Sequence, residues 1–267
     1  MAGRIQLAGS RTLLTGATGG IGQALARRLA GEGAQLVLSG RRQDVLDALA
    51  GELGATAVAC DLADPDAPDR LLERAGPIDV LIANAALPAS GPLGSRDLEQ
   101  IDRALAVNLR APIALAHGLL PAMTARGSGQ LVFIGSLQSR AATLGASVYC
   151  ATKFGLRGFA LGLRADLARS GVGVSLVMPG FVSDAGMYAE AGVALPAWIG
   201  TRTPERVAAA VVDAIAHDRA EVEVAPLHLR AGTTIAALAP ETAARATRIL
   251  GGERIAQAFA RGQAHKR

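Results

Sequence analysis

Tyr149 and Lys153 stand four residues apart in "SVYCATKFG", residues 147–155 of a chain with only two tyrosines and two lysines. On a helix that spacing points both side chains to the same side. A phenol with a pKa near 10 is a poor base at neutral pH. An adjacent ammonium stabilises the phenolate and draws its pKa down. A phenol tuned in this way can exchange a proton with an alcohol or carbonyl oxygen. Taken alone, the pair reads better as a half-buried core aromatic beside a lysine that lays its stem on the surface.

A second stretch with chemical potential is "TGATGGIG", Thr15–Gly22, between an apolar run and a helical pattern. Gly16 permits a sharp exit from a strand, Gly20 a close approach of pyrophosphate, and Gly22 close packing of helix on sheet. The helix N-terminus adds free N–H groups and partial positive charge for phosphate. The next strand ends "SGRR". An acid in this region would bind a ribose 2′-hydroxyl and favour NAD. Gly40 followed by Arg41 and Arg42 instead suits a 2′-phosphate, so NADP is expected, with NAD as the alternative.

The elements that position these residues follow from alternating patterns. Short apolar strands are expected at 12–16, 34–40, 55–62, 78–86, 129–136, 172–180 and 220–226. Helical patterns separate them. One carries Ile21, Leu25 and Leu29 on one face, and others cover 43–54, 97–125 and 203–217. A helix over 64–76 is predicted to open with Asp64 as N-cap and Pro65 at its first position. The helix carrying Tyr149 and Lys153 is predicted to reach about Arg169. Continuous apolar strands separated by helices specify an α/β, Rossmann-like, doubly wound parallel sheet of about seven strands. The whole chain, 1–267, reads as a single nucleotide-binding domain with residues 226–267 as a helical C-terminal extension.

Composition narrows the partners. Half the residues are hydrophobic and 3% are aromatic, and the net charge is +4. The excess sits in residues 226–267, which hold seven basic and two acidic residues, leaving the body near neutral. Nucleic acid is not an expected partner, because no basic helix with interleaved aromatics is present. No run of eighteen apolar residues suggests a membrane span. Cys60 and Cys150 form neither a disulfide framework nor a metal-ligand spacing, and the histidines form no cluster. No metal site is expected, and a reducing cytoplasmic compartment is.

Residues 10–225 resemble the short-chain dehydrogenase/reductase family in its compact single-domain branch. The resemblance rests on "TGATGGIG", "CDL" at 60–62, "NAA" at 84–86, "VN" at 107–108, Ser136, "YCATK" at 149–153 and "PG" at 179–180. It implies that Tyr149 is the general acid or base, and that Lys153 bonds the nicotinamide ribose and lowers the Tyr149 pKa. Ser136 would orient the substrate oxygen, and Asn108 would hold a water linking Lys153 to solvent. Asp61 and Leu62 would flank the adenine and Asn84 its ribose, with Thr18, Ile21, Pro179 and Val182 completing the cofactor contacts. A homodimer or homotetramer is expected. The chain departs from the family pattern at Ala86, where glycine is usual. It departs again at Asp184, where a threonine often bonds the nicotinamide amide.

Beyond the strand ends, loops 87–95, 137–146 and 181–203 carry Leu87, Leu137, Leu144, Phe181, Met187, Tyr188, Leu195, Trp198 and Ile199, interrupted by Arg140, Asp184, Glu190 and Arg202. This composition implies an apolar or amphipathic carbonyl compound or secondary alcohol as substrate, or a contact with another subunit. The tail reads as two helical pieces broken at Gly251-Gly252, open to a role as a subunit arm, a cap on the substrate site, a membrane-surface helix or a tail docked on its own core. The stripe of Ile249, Leu250, Ile255 and Phe259 is expected to dock on the protein assembly rather than on lipid. A non-catalytic nicotinamide-binding sensor of the same fold is the main alternative; retention of Asn108, Ser136, Tyr149 and Lys153 argues against it. An epimerase or dehydratase would need a larger substrate domain.

Overall fold

A computed structural model describes residues 5–193, 196, 199–249 and 252–263, apart from the side chains of Tyr188, Glu190 and Ile255. The expectations placed on Leu195, Trp198, Leu250 and those three side chains lie outside the described residues.

Seven strands pair in parallel: β1 (Arg11–Thr15), β2 (Gln35–Gly40), β3 (Thr56–Ala59), β4 (Val80–Ala83), β5 (Gly129–Ile134), β6 (Val172–Pro179) and β7 (Glu221–Val224). Their spatial order is β3-β2-β1-β4-β5-β6-β7. The order reverses between β1 and β4, and such a reversal opens a crevice at the strand C-termini. The strands are shorter than the apolar runs suggest, because residues 60–62 and 84–86 leave the sheet to line that crevice.

Adjacent residues of each strand feed opposite faces. Leu14, Leu38, Ile82 and Val177 pack with Leu25 and Leu29 of α1 (Gly20–Gly31), Leu46 of α2 (Gln43–Leu53) and Val211 of α8 (Pro204–Ala216). Leu13, Leu81, Phe133 and Leu176 pack with Leu71 of α3 (Ala67–Ala75), Leu115 of α5 (Ala111–Ala125) and Leu156 of α6 (Ser147–Asp166). Phe133 and Phe159 meet edge to face with centroids 5.5 Å apart. The helical run from α4 (Leu98–Leu105) through α5 is 28 residues long and holds an 18-residue window of mean hydropathy 1.2, sufficient by length and composition to cross a bilayer. Its apolar face, including Leu115, Leu119 and Met123, is core packing here.

Three expectations change. The α3 helix starts at Ala67 with Asp66 at its N-cap and Pro68 in its first turn. Asp64 instead closes a local turn, accepting from the Asp66 N–H and pairing with Arg70. The long helix is interrupted by a π turn at Ala106–Arg110. The Tyr149 helix ends at Asp166 rather than near Arg169. After β6 comes the short helix α7 (Gly186–Ala191), and after β7 come α9 (Leu227–Leu238), α10 (Pro240–Ile249) and α11 (Gly252–Gly262).

Candidate active site

The Gly-rich turn is held from beneath by Asn84 at the end of β4. Its Nδ2 donates to the Thr15 and Gly16 carbonyls, both at 3.1 Å, while Thr15 Oγ1 accepts from the Asn84 and Ala85 N–H groups. Gly16 has φ +66, and a Cβ there would stand 2.8 Å from Ala85 Cα. A Cβ at Gly22 would collide with the Gly16 carbonyl. The turn therefore tolerates no side chain at either position. No side chain caps the N-terminus of α1 and no acid lies in its first turn, leaving N–H groups for an anion. These features fit a dinucleotide pyrophosphate. At Gly20, however, the space left by the missing side chain is taken by Ala185, and Ile21 rests near Gly186.

Arg42 Nη2 donates to the Thr18 carbonyl, which also accepts from Gln23 Nε2 at 3.3 Å. Arg41 is exposed beside it. Burial pushes the Asp61 carboxyl up, but bonds from Arg103 and the Ala63 N–H, with the field of Arg41, bring it below the ordinary range. The Arg103–Asp61 contact is 2.7 Å; Arg103 carried no signal that separated it from other arginines. The Leu62 and Val182 side chains are buried in the packing around the sheet. Pro179 ends β6 and is buried.

Ser136 follows β5 and opens a single 3-10 turn, Leu137–Ser139, with its hydroxyl accepting from the Gln138 N–H at 3.2 Å. Tyr149 lies in the first turn of α6, partly buried against Ala89, Ile101, Ala104 and Val148. Lys153, 2% exposed, donates to the Ile134 carbonyl at 2.8 Å and sits 5.7 Å from the Tyr149 ring centre. The structure thus brings Ser136, Tyr149 and Lys153 together at the ends of β5 and β6.

Burial dominates the electrostatics of the pair. Burial pushes the Tyr149 phenol up to about 12, and the Ser136 hydroxyl pulls it only partly back. Burial lowers the Lys153 ammonium to about 8. In the unliganded protein desolvation therefore outweighs any lowering of the phenol by the lysine.

Asn108 lies in the π turn and is fully buried. Its Oδ1 accepts from the Leu87 N–H at 2.6 Å and its Nδ2 donates to the Leu87 carbonyl at 2.9 Å, with Thr152 Oγ1 3.5 Å away. Its amide is thus a clamp on the loop leaving β4. Arg140 is likewise engaged elsewhere, paired at 2.8 Å with both Glu221 and Glu223 of β7. Asp184 has φ 60, a left-handed conformation that Asp tolerates better than most residues.

A family model described as short chain dehydrogenase matches residues 10–194. The ketoacyl reductase HetN of Nostoc sp. is 38% identical over 227 residues, covering 82% of this chain and 79% of its own length. A solved short-chain dehydrogenase from Sphingobium yanoikuyae in complex with NADPH superposes with TM-score 0.76 at 29% identity, over 90% of this chain and 95% of that one. The closed form of a serine dehydrogenase complexed with NADP+ gives TM-score 0.73 at 29% identity, over 82% and 95% of the two chains.

Proposed function

The chain belongs to the short-chain dehydrogenase/reductase family, oxidoreductases that act on CH–OH centres; from that premise we propose that it is an NADP-dependent reductase or dehydrogenase of apolar or amphipathic ketones and secondary alcohols. The observation that carries this reading is the convergence of Ser136, Tyr149 and Lys153 at the mouth of the crevice above the uncapped α1 N-terminus.

In this reading the Gly16–Gly22 turn and the α1 N-terminus hold the pyrophosphate, and Arg41 and Arg42 face the 2′-phosphate. The NADPH and NADP+ bound by the two structural relatives support that choice. Asp61, Leu62, Asn84, Pro179 and Val182 border the cofactor. When bound, the nicotinamide supplies the two-electron hydride chemistry.

The chain's own residues handle the proton. Ser136 donates a hydrogen bond to the substrate oxygen. Tyr149, neutral across the physiological range, gives its proton to that oxygen as a carbonyl is reduced. Lys153, mostly protonated at pH 7, supplies positive charge beside the phenolate left behind. Asn108 keeps the loop at Leu87 in place and lines the route by which a water reprotonates the pair.

The apolar preference follows from charge placement. Arg140, the cation nearest in sequence to the catalytic serine, is committed to Glu221 and Glu223 and cannot grip a substrate carboxylate. A compact hydroxy amino acid, such as the serine of one relative's name, lacks a counter-charge there. Turnover of 2-alkanones, a 3-oxoacyl thioester and serine with NADP(H) and NAD(H) tests the reading. Turnover of serine alone, or of nothing despite tight NADPH binding, refutes it.

We include self-association in the same reading. Leu227, Ile235 and Leu238 of α9 are exposed, and a dimer or tetramer would cover them. Sedimentation as a monomer at micromolar concentration would exclude this part.

A further inference from the structure

The C-terminal helices lie beyond the family match, which ends at residue 194. Among the described residues, α9 and α10 bury none, and Ile249 at the end of α10 is 85% exposed. The last described residue, Gln263, is 5% exposed. The extension is tied to the body at its start, where His228 Nε2 meets the Ile199 carbonyl and Arg230 pairs with Glu223, both at 3.1 Å. It then runs through two helices that bury no residue and docks again through α11. What α11 touches is specific. The Phe259 ring stacks on Phe181 with centroids 6.0 Å apart and planes 24° from parallel. Gln263 Nε2 donates to the Met187 carbonyl of α7 at 3.4 Å. At Gly262 any Cβ would strike the Ala191 carbonyl, so only glycine lets α11 close onto α7. A Cβ at Gly145 would stand 3.3 Å from Ala256 Cβ.

These contacts fall on both sides of one opening. Gly145 precedes α6 by two residues and Tyr149 by four, and its carbonyl accepts from the Gly91 N–H at 2.6 Å, tying in the loop from β4. Phe181 follows Pro179, the last residue of β6. The stretch after Phe181 is stapled at its base, where the Arg202 N–H donates to the Phe181 carbonyl and the Ser183 N–H to the Arg202 carbonyl, both at 2.9 Å. A substrate that reaches Ser136 and Tyr149 lies between these segments, and α11 bridges them.

We propose that α11 is the roof of the substrate cleft and that Phe259, stacked on Phe181, selects substrates carrying an apolar arm. The proposal rests on the oxidoreductase reading above and adds the element that gives it specificity. The aromatic pair joins α11 to the segment that follows β6, while Arg254 and Arg261 of the same helix are exposed to solvent. An alkyl or aryl arm gains contact with the two rings, whereas a small polar alcohol gains nothing there. Because α11 and α7 meet through Gly262 and Gln263, the roof and the segment over the cofactor turn form one packed unit.

The full-length protein tests this with Phe259→Ala, Phe259→Leu and Gly262→Val, and Glu241→Gln on exposed α10 as control. NADPH oxidation is followed with 2-butanone, 2-hexanone, 2-decanone and acetophenone, and amide hydrogen exchange is read at 141–146 and 186–191. Phe259→Ala is expected to change the kcat/KM ratio of 2-decanone to 2-butanone by about tenfold or more, the size of effect that lost apolar contacts produce. Phe259→Leu should change it less, and the control should leave it as in wild type. Gly262→Val should speed exchange at 186–191. Parallel scaling of all four ketones, with unchanged exchange in both segments, overturns the roof. If wild type binds NADPH but reduces no ketone, the oxidoreductase reading is what fails. Exchange then decides the roof alone: faster exchange in the variants supports it and unchanged exchange refutes it.

Discussion

Thr18 stands where a side chain at position 40 would have to go: a Cβ on Gly40 would lie 2.7 Å from Thr18 Cγ2 and 3.0 Å from its Oγ1. The Gly-rich turn and the end of β2 are therefore matched, and the glycine that precedes Arg41 and Arg42 is required by packing as well as compatible with a 2′-phosphate. Installing an acid at position 40 to accept a ribose hydroxyl will fail alone, because Thr18 must move. Gly40→Asp is expected to weaken NADP and NAD together. With Thr18→Ala, which leaves only a carbon at ordinary contact distance, and Arg41→Ala, preference should swing toward NAD. Dissociation constants for both cofactors across the series check this. A single Gly40→Asp variant with intact NADP affinity would contradict the packing argument.

Tyr149→Phe keeps the ring against Ala89, Ile101 and Val148 and removes only the hydroxyl with its transferable proton. Turnover is expected to fall by ~100-fold or more, the scale of positioned acid–base catalysis, with NADPH affinity close to wild type. Ser136→Ala should lower kcat without changing cofactor affinity. NADPH fluorescence titration beside steady-state kinetics separates the two effects.

Lys153 links the site to stability. Its folded pKa of about 8 lies below the ordinary value of about 10.4. Between those two values the unfolded chain binds more protons, so stability rises with pH; below 8 the buried charge costs on the order of 3 kcal/mol. Lys153→Met removes that cost but leaves the Ile134 carbonyl without its donor. The Tm difference, variant minus wild type, should therefore shrink as pH rises from 7 to 10. A difference independent of pH would mean that the lysine is not desolvated. Above 10 the raised Tyr149 adds the opposite trend, since the unfolded phenol ionises first.

Sequence periodicity was enough to read the sheet, its helices and the Tyr149–Lys153 face, because buried strands and amphipathic helices leave local signals. What it could not supply are relations across the chain. Arg103 reaches Asp61 over forty-two positions, and Ala185 returns to cover Gly20. Leu62 and Val182 follow the ends of β3 and β6, and their side chains pack into the core. Of the tail's apolar stripe, Phe259 stacks on Phe181 while Ile249 is exposed, a distinction that residue type does not carry.

Asn108 offers the sharpest check on what the π turn does. Its amide makes a two-point clamp on Leu87, one bond accepted and one donated, with no exposure to water. Alanine leaves a backbone N–H and a carbonyl unpaired, each worth about 1–3 kcal/mol, so Asn108→Ala should lower stability clearly and loosen the loop at 87–91. Asn108→Asp separates the bonds. The protonated acid can mimic the amide, accepting from Leu87 N–H and donating to its carbonyl. The carboxylate keeps the first bond but faces that carbonyl with a buried negative charge. Its folded pKa is thereby raised above the unfolded value near 3.9. The clamp's contribution is then fully present below that unfolded value and is lost as pH rises through the folded pKa. Tm of Asn108→Asp relative to wild type should fall between pH 4 and 8, while that of Asn108→Ala stays constant. Identical pH profiles for the two variants would show that the amide's donor bond to Leu87 contributes nothing.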